Sequence, residues 1–544
     1  MAKVRRALGH APTMPSAKDA PPPLSRLELF AYGIGGLGWA SSYMMVGILL
    51  VYFYIPPTTV GSGTGCVGLK DDEPLNISSS ISSNATLETI FPIYVPQVTF
   101  AHVLNTIVIL SAVGRLWDAV TDPCVANFSD RLRWKRGRRI PMMAMGGLPT
   151  ALFAALLFFP IVPSESAANI VWLAIVQLLF YLSLTAYCTP FFALVPEFGH
   201  TEAQRLDLSM ACSMSFALGS VLAATVSSIG AGFESNVAGL QFGVIIVSVV
   251  NALLMYVPIL AIDERRHVHA PSDSASLLAG MRHCAGNRHF RAYVMADLAF
   301  FYASAMIQTA LPFYLTVLLC EPITLLTFVI GGLVVISLIW YLPTAILAAK
   351  FGKKRLIISA MLFLALIFTS VYFLGAPMLP MPPLAQLFML PALISLPIAV
   401  LGMLPNACLA DITVHDALRT GQSNEGMFFA ARTFLQKIGV TLGIMTFASL
   451  TNFGNSPGDD LGVRLSGPAC VVVLLLAVLA FSFYDEKTLT RETHEMMQAK
   501  GRGAPASSPR LNSTAESSTG MELVNRERAQ SEGADLPGRA AVYA

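Results

Sequence analysis

The sequence contains little charge. Asp, Glu, Lys and Arg make up 12% of its 544 residues, whereas soluble domains carry about 25%. Apolar residues supply 54% of the chain, and the mean hydropathy is +0.62. This composition excludes a water-soluble fold for the bulk of the chain, which must lie in lipid. The formal net charge of +2 points to no particular partner.

Several motifs are absent. The eight cysteines are scattered and form no Cys-x-x-Cys pair, which argues against a metal or redox motif. The chain has no Gly-Lys-Ser/Thr phosphate-binding loop, so we expect an ion gradient rather than ATP to drive any transport. No enzymatic constellation stands out, and we expect neither an enzyme nor a cofactor beyond a coupling ion. The polar, Pro-rich first 25 residues lack a signal-peptide core, so we expect the first apolar segment to act as an uncleaved anchor.

Twelve stretches of mostly apolar residues are long enough to cross a bilayer. They lie at 27–55, 99–123, 141–163, 169–195, 206–232, 238–262, 290–316, 322–348, 356–377, 384–409, 426–450 and 466–484. Clusters of Lys and Arg follow the second, sixth and eighth stretches, and the alternate loops hold almost none. The positive-inside rule therefore predicts a multi-pass protein, expected in the plasma membrane, with both termini in the cytoplasm.

Two loops share a pattern. The loops 130–139 and 350–355 each combine a glycine, Gly137 or Gly352, with a basic cluster at the same point of a six-span half. Ordinary positive-inside charge explains the basic residues but not the repeated glycine. The repeat favours an all-α membrane protein with twelve transmembrane helices in two six-helix bundles. Major facilitator transporters are built in this way and bind substrate between the two halves.

The composition changes along the chain predict five segments and one long outer loop. The segments are a cytoplasmic tail at 1–26, a six-helix bundle at 27–262, a cytoplasmic linker at 263–289, a second bundle at 290–484 and a disordered cytoplasmic tail at 485–544. The outer loop, 56–98, contains N-glycosylation sequons at Asn76 and Asn84. Charge asymmetry places both sequons outside, so we predict that they are glycosylated.

Two carboxylates stand near the end of the second span. Asp118 and Asp122 are four residues apart, so a helix places them on one face. Each charge costs about 2.5–3.5 kcal/mol at the centre of a bilayer unless it is neutralised. The pattern predicts a Na⁺ or H⁺ site, with Thr121 and Thr185 as further oxygen ligands and Arg115 as an ion-pair partner when the cation is absent. The alternative is that the span ends early and both carboxylates face cytosolic water.

Lys437 and Phe192 are candidates for substrate contacts. Lys437 lies about a dozen residues inside the eleventh span, where a charge should face a cavity. It is expected to hold an anionic substrate group or to neutralise the carboxylates; snorkelling to an interface is the alternative. Pro190 and Pro196 are expected to kink the fourth helix and to turn Phe192 towards the cavity.

Charged residues at the cytoplasmic ends of the spans are candidates for gate ion pairs. They are Asp130 and Arg138 in the first half and Asp411 and Arg432 in the second. For the second group, a solvated loop with helix caps is the alternative. Asp297 lies close to the start of the seventh span and is expected at the membrane interface.

The chain resembles a known family in both halves, over roughly 27–484. The runs at 114–123, 190–196, 404–411 and 426–439 are similar to those of the glycoside–pentoside–hexuronide:cation symporters, within the major facilitator superfamily. The most specific motif is Arg-x-x-Asp-x-x-x-Asp-Pro, which runs from Arg115 to Pro123. The resemblance implies that Asp118 and Asp122 are cation-site carboxylates, which would ligate Na⁺ in a sodium-coupled protein, and that Lys437 is the family's functional lysine.

Departures from the family's sugar-transporting branch bear on the substrate. Its first-helix Asp corresponds here to Ala40 or one of its neighbours, its fourth-helix Asp to Cys188 and its fifth-helix Arg to Cys212. A cavity without these polar groups discriminates poorly among sugars. We therefore expect Cys188 and Phe192 to contact an amphipathic, lysophospholipid-like substrate, although the lipid branch also normally carries the fifth-helix Arg.

The resemblance implies a cation-coupled symporter that works by alternating access. A glycoside:cation symporter, an uncoupled facilitator and a transport-inactive receptor or scaffold are the alternatives. We expect a small-molecule or lipid substrate and the bilayer as partners, no nucleic acid, and a monomer.

Overall fold

Most of the described residues are helical. The computed structural model describes residues 22, 24–60, 87–96, 105–131, 137–199, 202–267, 277–375, 381–420 and 425–501. The first six long helices are α1 Arg26–Tyr54, α2 Thr106–Arg131, α3 Ile140–Leu156, α4 Ala167–Phe198, α5 Glu202–Ile229 and α6 Asn236–Ala261. Between α1 and α2, β1 Thr58–Val60 pairs antiparallel with β2 Leu87–Thr89.

The second half of the chain repeats this plan. Two short helices, α7 Glu264–His267 and α8 Leu277–Gly286, form the predicted linker. The next six are α9 Arg288–Phe313, α10 Leu326–Phe351, α11 Lys353–Val371, α12 Pro383–Thr420, α13 Glu425–Leu450 and α14 Leu461–Ser482, and α15 Glu486–Gly501 follows them.

Ten helices of the described residues are long and apolar enough to cross a membrane. The other two predicted spans are α2, which carries Arg115, Asp118 and Asp122, and α3, which has only 17 residues. Both lie in sequence between helices that do qualify. The prediction of an all-α membrane protein with twelve helices in two six-helix halves is therefore confirmed. The helix of the second span, α2, ends at Arg131 rather than at residue 123 and is more polar than hydropathy indicated.

The glycine-basic loop of the first half binds a carboxylate with its backbone. Gly137 has φ +113°, a conformation that favours glycine. The amides of Arg138 and Arg139 donate to the Glu264 carboxylate at 3.0 and 2.8 Å. The Arg138 side chain pairs with Glu197 at the end of α4, at 2.7 Å.

The second half has the same arrangement. Gly352 has φ +88°, and the amides of Lys353 and Lys354 donate to the Glu486 carboxylate, each at 2.9 Å. The Lys353 side chain pairs with Asp411 of α12 at 2.5 Å. The repeat predicted from two glycines thus extends to backbone conformation and to acceptors from equivalent helices. We call the end of the bundle that carries these loops the basic end.

The prediction of disorder is wrong for the first part of the 485–544 tail, because α15 is helical there. The Asp485 carboxylate accepts from the backbone amide and hydroxyl of Thr488, which caps the helix. Glu486 is held by the α10–α11 turn, and Leu489 is 1% exposed. These contacts compensate for the polar composition that argued against structure. Residues 502–544, like most of 1–26, lie outside the described residues.

The two halves meet along α2 and α13, along α5 and α10, and along α1 and α9. At the end opposite the basic loops, the Asn105 amide donates to Ala448 O at 2.9 Å and to Asn452 Oδ1 at 3.2 Å. Nearby, Ser228 bonds the Thr324 carbonyl at 3.0 Å and the Thr327 hydroxyl at 2.7 Å. Neutral hydrogen bonds therefore join the halves at this opposite end.

Candidate cation and substrate site

Three charged side chains meet between the halves, at the middle of two long helices. Lys437 stands halfway along the 26-residue α13, and its Nζ lies 2.8 Å from Asp118 Oδ2 and also pairs with Asp122. The Asp118 side chain is 6% exposed, whereas Lys437 is 24% and Asp122 30% exposed. The helix α2 continues past both carboxylates to Arg131. Lys437 does not snorkel, because its ammonium is held by carboxylates across the interface.

Two hydroxyl groups of α4 form hydrogen bonds with the carboxylates. Thr185 Oγ1 donates to Asp118 Oδ1 at 2.7 Å, as predicted for a cation-site neighbour. Thr189 Oγ1 donates to Asp122 Oδ1 at 3.4 Å and was missed by sequence reasoning. The sequence could have revealed Thr189, because it lies one helical turn after Thr185 and so on the same helix face. Thr121, predicted as a ligand, instead donates to the Asp118 backbone carbonyl at 3.1 Å, a local bond that helical Thr side chains favour.

Arg115 departs from its predicted role as the carboxylates' partner. Its guanidinium lies 4.8 Å from the Tyr43 ring centroid and 5.1 Å from that of Tyr181. One nitrogen donates to the Tyr43 hydroxyl at 2.9 Å, and the residue is 5% exposed. The two aromatic faces hold the cation by cation–π attraction, so in this structure Lys437, rather than Arg115, forms the ion pairs.

Aromatic side chains cluster around Phe192, one turn of α4 beyond Thr189. Phe192 is 45% exposed and packs edge to face on Trp39, with 5.4 Å between the ring centroids. Phe216 lies 6.0 Å from the same indole. Cys188, half-buried, precedes Phe192 by one turn of α4. We refer to Trp39, Phe192 and Phe216 as the aromatic wall. Trp39 and Phe216 were missed, because apolar composition alone does not tell cavity residues from packing residues.

The predicted gate residues form ion pairs within their own halves. Arg138 and Asp411 pair with Glu197 and Lys353, as described above. Arg432 binds Asp297 through two bonds of 2.9 Å. Asp297 is 1% exposed, so its predicted interfacial position is wrong; the bidentate partner makes burial tolerable. The side chain of Asp130, and the sequons at Asn76 and Asn84, lie outside the described residues.

The site therefore combines two carboxylates, two hydroxyls and one ammonium beside an apolar wall. Carboxylate and hydroxyl oxygens are the donors that hard cations prefer, and paired acidic groups within helical bundles also serve proton transfer. The ammonium now lies where a small cation would contact both carboxylates. The arrangement can thus exchange one positive group for another at the junction of the halves.

The family profile described as MFS/sugar transport protein matches residues 80–482. The chain belongs to this family. Together with its relatives, the match places this MFS transporter among the glycoside–pentoside–hexuronide:cation symporters, as the sequence motifs predicted, and it is a transporter rather than an enzyme.

Curated relatives of the transporter include lysophosphatidylcholine symporters and a glycoside/cation symporter. "Sodium-dependent lysophosphatidylcholine symporter 1" of Mus musculus is 25% identical over 76% of this chain and 85% of its own. "Putative glycoside/cation symporter YagG" of Escherichia coli is 22% identical over 61% of this chain and 72% of its own. "Sodium-dependent lysophosphatidylcholine symporter 1-A" of Danio rerio is 34% identical, but the match spans only 22% of each chain.

Solved structures show the same fold at low identity. The nucleoside transporter NupG gives a TM-score of 0.55 at 12% identity, covering 84% of this chain and 100% of its own. A bacterial homolog of the human lysosomal transporter Spinster, inward-facing and unoccupied, gives 0.56 at 12% identity, covering 87% and 99%. These likenesses establish the major facilitator architecture of the transporter.

Proposed function

We propose that this transporter is a symporter driven by a Na⁺ or H⁺ gradient, whose substrate is an amphipathic, lysophospholipid-like molecule. The observation that carries the proposal is the position of Lys437 between Asp118 and Asp122, next to the aromatic wall. The coupling ion then competes with Lys437 for the two carboxylates, and the anionic group of the substrate competes with the carboxylates for Lys437.

Coupling follows from charge. Without a cation, the ammonium neutralises part of the carboxylate pair. A Na⁺ ion or a proton that binds Asp118 and Asp122 weakens both ion pairs and releases Lys437. The released ammonium is then available to a substrate anion. Each elementary charge that crosses a membrane at 100 mV supplies about 2.3 kcal/mol, which links accumulation to the gradient.

The surroundings of the cluster favour a substrate with an apolar part. Phe192 is the exposed ring of the aromatic wall, since Trp39 is 8% exposed and Phe216 is partly buried, and the wall offers apolar ring surfaces rather than paired hydrogen-bonding groups. A sugar would leave hydroxyls unpaired against these surfaces. The glycoside/cation relative keeps sugar symport as the second candidate.

The access side supports an inward-facing state. Neutral hydrogen bonds join the halves at the opposite end, and the described ion pairs of the basic end stay within one half or its linker. By the positive-inside rule the basic end is cytoplasmic. We propose that both termini face the cytoplasm of a plasma-membrane monomer and that Asn76 and Asn84 are glycosylated outside.

Uptake into proteoliposomes tests the proposal. Labelled lysophosphatidylcholine and a labelled disaccharide are supplied side by side, at two Na⁺ concentrations and two pH values. We expect gradient-dependent accumulation of the lipid and a loss of coupling in Asp118→Asn. The matched control is Glu495→Gln, which neutralises a carboxylate that is 69% exposed.

The other possible outcomes of this uptake experiment would each support one of the alternative functions. Accumulation of the disaccharide alone would select the sugar symporter. Uptake that equilibrates but ignores both gradients and Asp118→Asn would leave an uncoupled facilitator. No uptake of either compound, with Asp118, Asp122 and Lys437 all replaceable without phenotype, would favour a receptor or scaffold.

A further inference from the structure

A groove between α9 and α14 lies at the basic end, apart from the charged cluster. It has a volume of about 650 Å³. Its lining includes Arg288 and Arg291 of α9, Leu476 and Leu479 of α14, Phe483 and Asp485. None of these residues belongs to the charged cluster or to the aromatic wall, so transport chemistry does not account for the groove.

The lining separates charge from apolar surface. Arg288 and Arg291 are three residues apart, so they share one face of α9, and both are exposed. Leu476, Leu479 and Phe483 recur at helical spacing, with exposures of 61%, 60% and 79%. Since α9 begins and α14 ends at the basic end, two cations stand beside the upper part of an apolar stripe. A phospholipid has the same order, with its phosphate above its acyl chains.

The arginines are not neutralised by the protein. In the part of the chain that the structure describes, neither Arg288 nor Arg291 forms an ion pair within 4.0 Å. The carboxylate that lines the same groove, Asp485, is occupied by the Thr488 amide and hydroxyl at 3.1 and 2.6 Å. Arg288 Nε donates only to the His289 ring, at 3.4 Å. Most guanidinium donors therefore remain for an external acceptor, and their fork geometry suits phosphate oxygens.

We propose that this groove binds an anionic phospholipid of the adjoining leaflet, with its phosphate on Arg288 and Arg291 and an acyl chain along Leu476 and Leu479. Charge complementarity identifies this occupant: basic residues at a membrane surface attract anionic lipids. A zwitterionic lipid satisfies the apolar stripe equally well but gains less from two cations. The proposal predicts selectivity for headgroup charge at one site, independent of transport.

Native mass spectrometry of the purified full-length chain tests the site. Phosphatidylglycerol and phosphatidylcholine with the same acyl chains are titrated separately in detergent. We expect the wild type to retain one phosphatidylglycerol at concentrations where phosphatidylcholine is lost. In R288Q/R291Q the affinity for phosphatidylglycerol should fall about tenfold or more. The control R282Q/R419Q removes two other exposed arginines of the same end and should behave as the wild type.

Specific results would overturn the proposal. They are equal retention of the two lipids by the wild type, unchanged phosphatidylglycerol affinity in R288Q/R291Q, or an equal loss in R282Q/R419Q, which would indicate diffuse attraction. Should the double variant fold poorly, Arg291→Gln alone leaves the Arg288–His289 bond in place and should still weaken phosphatidylglycerol binding severalfold. An unchanged affinity in that variant contradicts the site equally.

Discussion

Lys437 Nζ lies 2.8 Å from Asp118 Oδ2, and this contact joins α13 of one half to α2 of the other. Residues 315 positions apart, Lys437 and Asp122, share the same cluster. The ion pairs therefore hold the two halves together at the depth where transport requires them to separate. The strength of these ion pairs has to depend on what else binds the carboxylates.

Replacing Lys437 with Ala should make the protein bind Na⁺ more tightly while abolishing accumulation of substrate. The ammonium and the ion compete for the same oxygens, so its removal frees both carboxylates. We expect added Na⁺ to raise the melting temperature of Lys437→Ala more than that of the wild type. Lys437→Arg, which keeps the charge, serves as the control. An equal Na⁺ response in wild type and Lys437→Ala would argue against competition, and a proton-coupled protein would show the difference with pH instead.

The two hydroxyls of α4 should differ in their contribution to ion binding. Thr185→Val removes the 2.7 Å bond to Asp118 Oδ1, and losing a buried hydrogen bond costs about 1–3 kcal/mol. We expect the apparent affinity for the coupling ion, measured from uptake, to fall about fivefold or more. Thr189→Val should have a smaller effect, because its bond is 3.4 Å long. Thr121→Val is the control, because the Thr121 hydroxyl bonds a backbone carbonyl of its own helix. An equal loss of ion affinity in all three variants would contradict the role of Thr185 in ion binding.

The charged cluster was predictable because few arrangements allow a charge at bilayer depth. Asp118, Asp122 and Lys437 could therefore be found from position alone. Arg115 could not be assigned in the same way, since a guanidinium is satisfied by aromatic faces as well as by carboxylates, and the sequence does not reveal that Tyr43 and Tyr181 lie on either side of it. Partner choice depends on tertiary packing, which local pattern does not determine.

Asp297 illustrates the same limit. Hydropathy placed it at the interface, whereas a bidentate partner 135 positions away allows it to be buried. The glycine-basic repeat was predictable because backbone conformation restricts the residue type at Gly137 and Gly352. The carboxylates that bind the following amides, Glu264 and Glu486, carry no such local signal.

Removing one member of the Asp297–Arg432 pair should destabilise the second half. Both residues are buried, so Asp297→Ala leaves an uncompensated guanidinium, which typically costs about 3–5 kcal/mol. We expect a clear drop in melting temperature in detergent. The double variant Asp297→Leu/Arg432→Met should recover much of it, because no charge remains buried. Asp411→Asn, at a side chain that is 39% exposed, should change stability far less. No recovery in the double variant would show that the pair's geometry, rather than its charge balance, is what matters.

Asn105 should control the opening of the opposite end. Asn105→Ala removes bonds of 2.9 and 3.2 Å across the halves, and each typically contributes about 0.5–1.5 kcal/mol. The outward-open population should rise about fivefold or more. Spin labels attached through Ile161→Cys and Leu461→Cys, both exposed positions, would report longer distances. Asn455→Ala, in the nearby loop, is the control. An unchanged distance distribution would show that the Asn105 hydrogen bonds do not control this opening.

The aromatic wall should determine substrate affinity without affecting the ion. Phe192→Ala removes a ring that is 45% exposed and lies one turn of α4 beyond Thr189, where we expect the apolar part of the proposed substrate to bind. Burial of a Phe contact contributes about 1.5–3 kcal/mol, so the KM for lysophosphatidylcholine uptake should rise about tenfold or more, while the dependence of uptake on the coupling ion stays as in the wild type. Phe328→Ala, at a ring that is 62% exposed on α10, is the matched control and should leave both unchanged. A change in ion dependence with an unaltered KM would mean that the ring supports the carboxylates rather than the substrate, and the case for an amphipathic substrate would then depend on Lys437 alone.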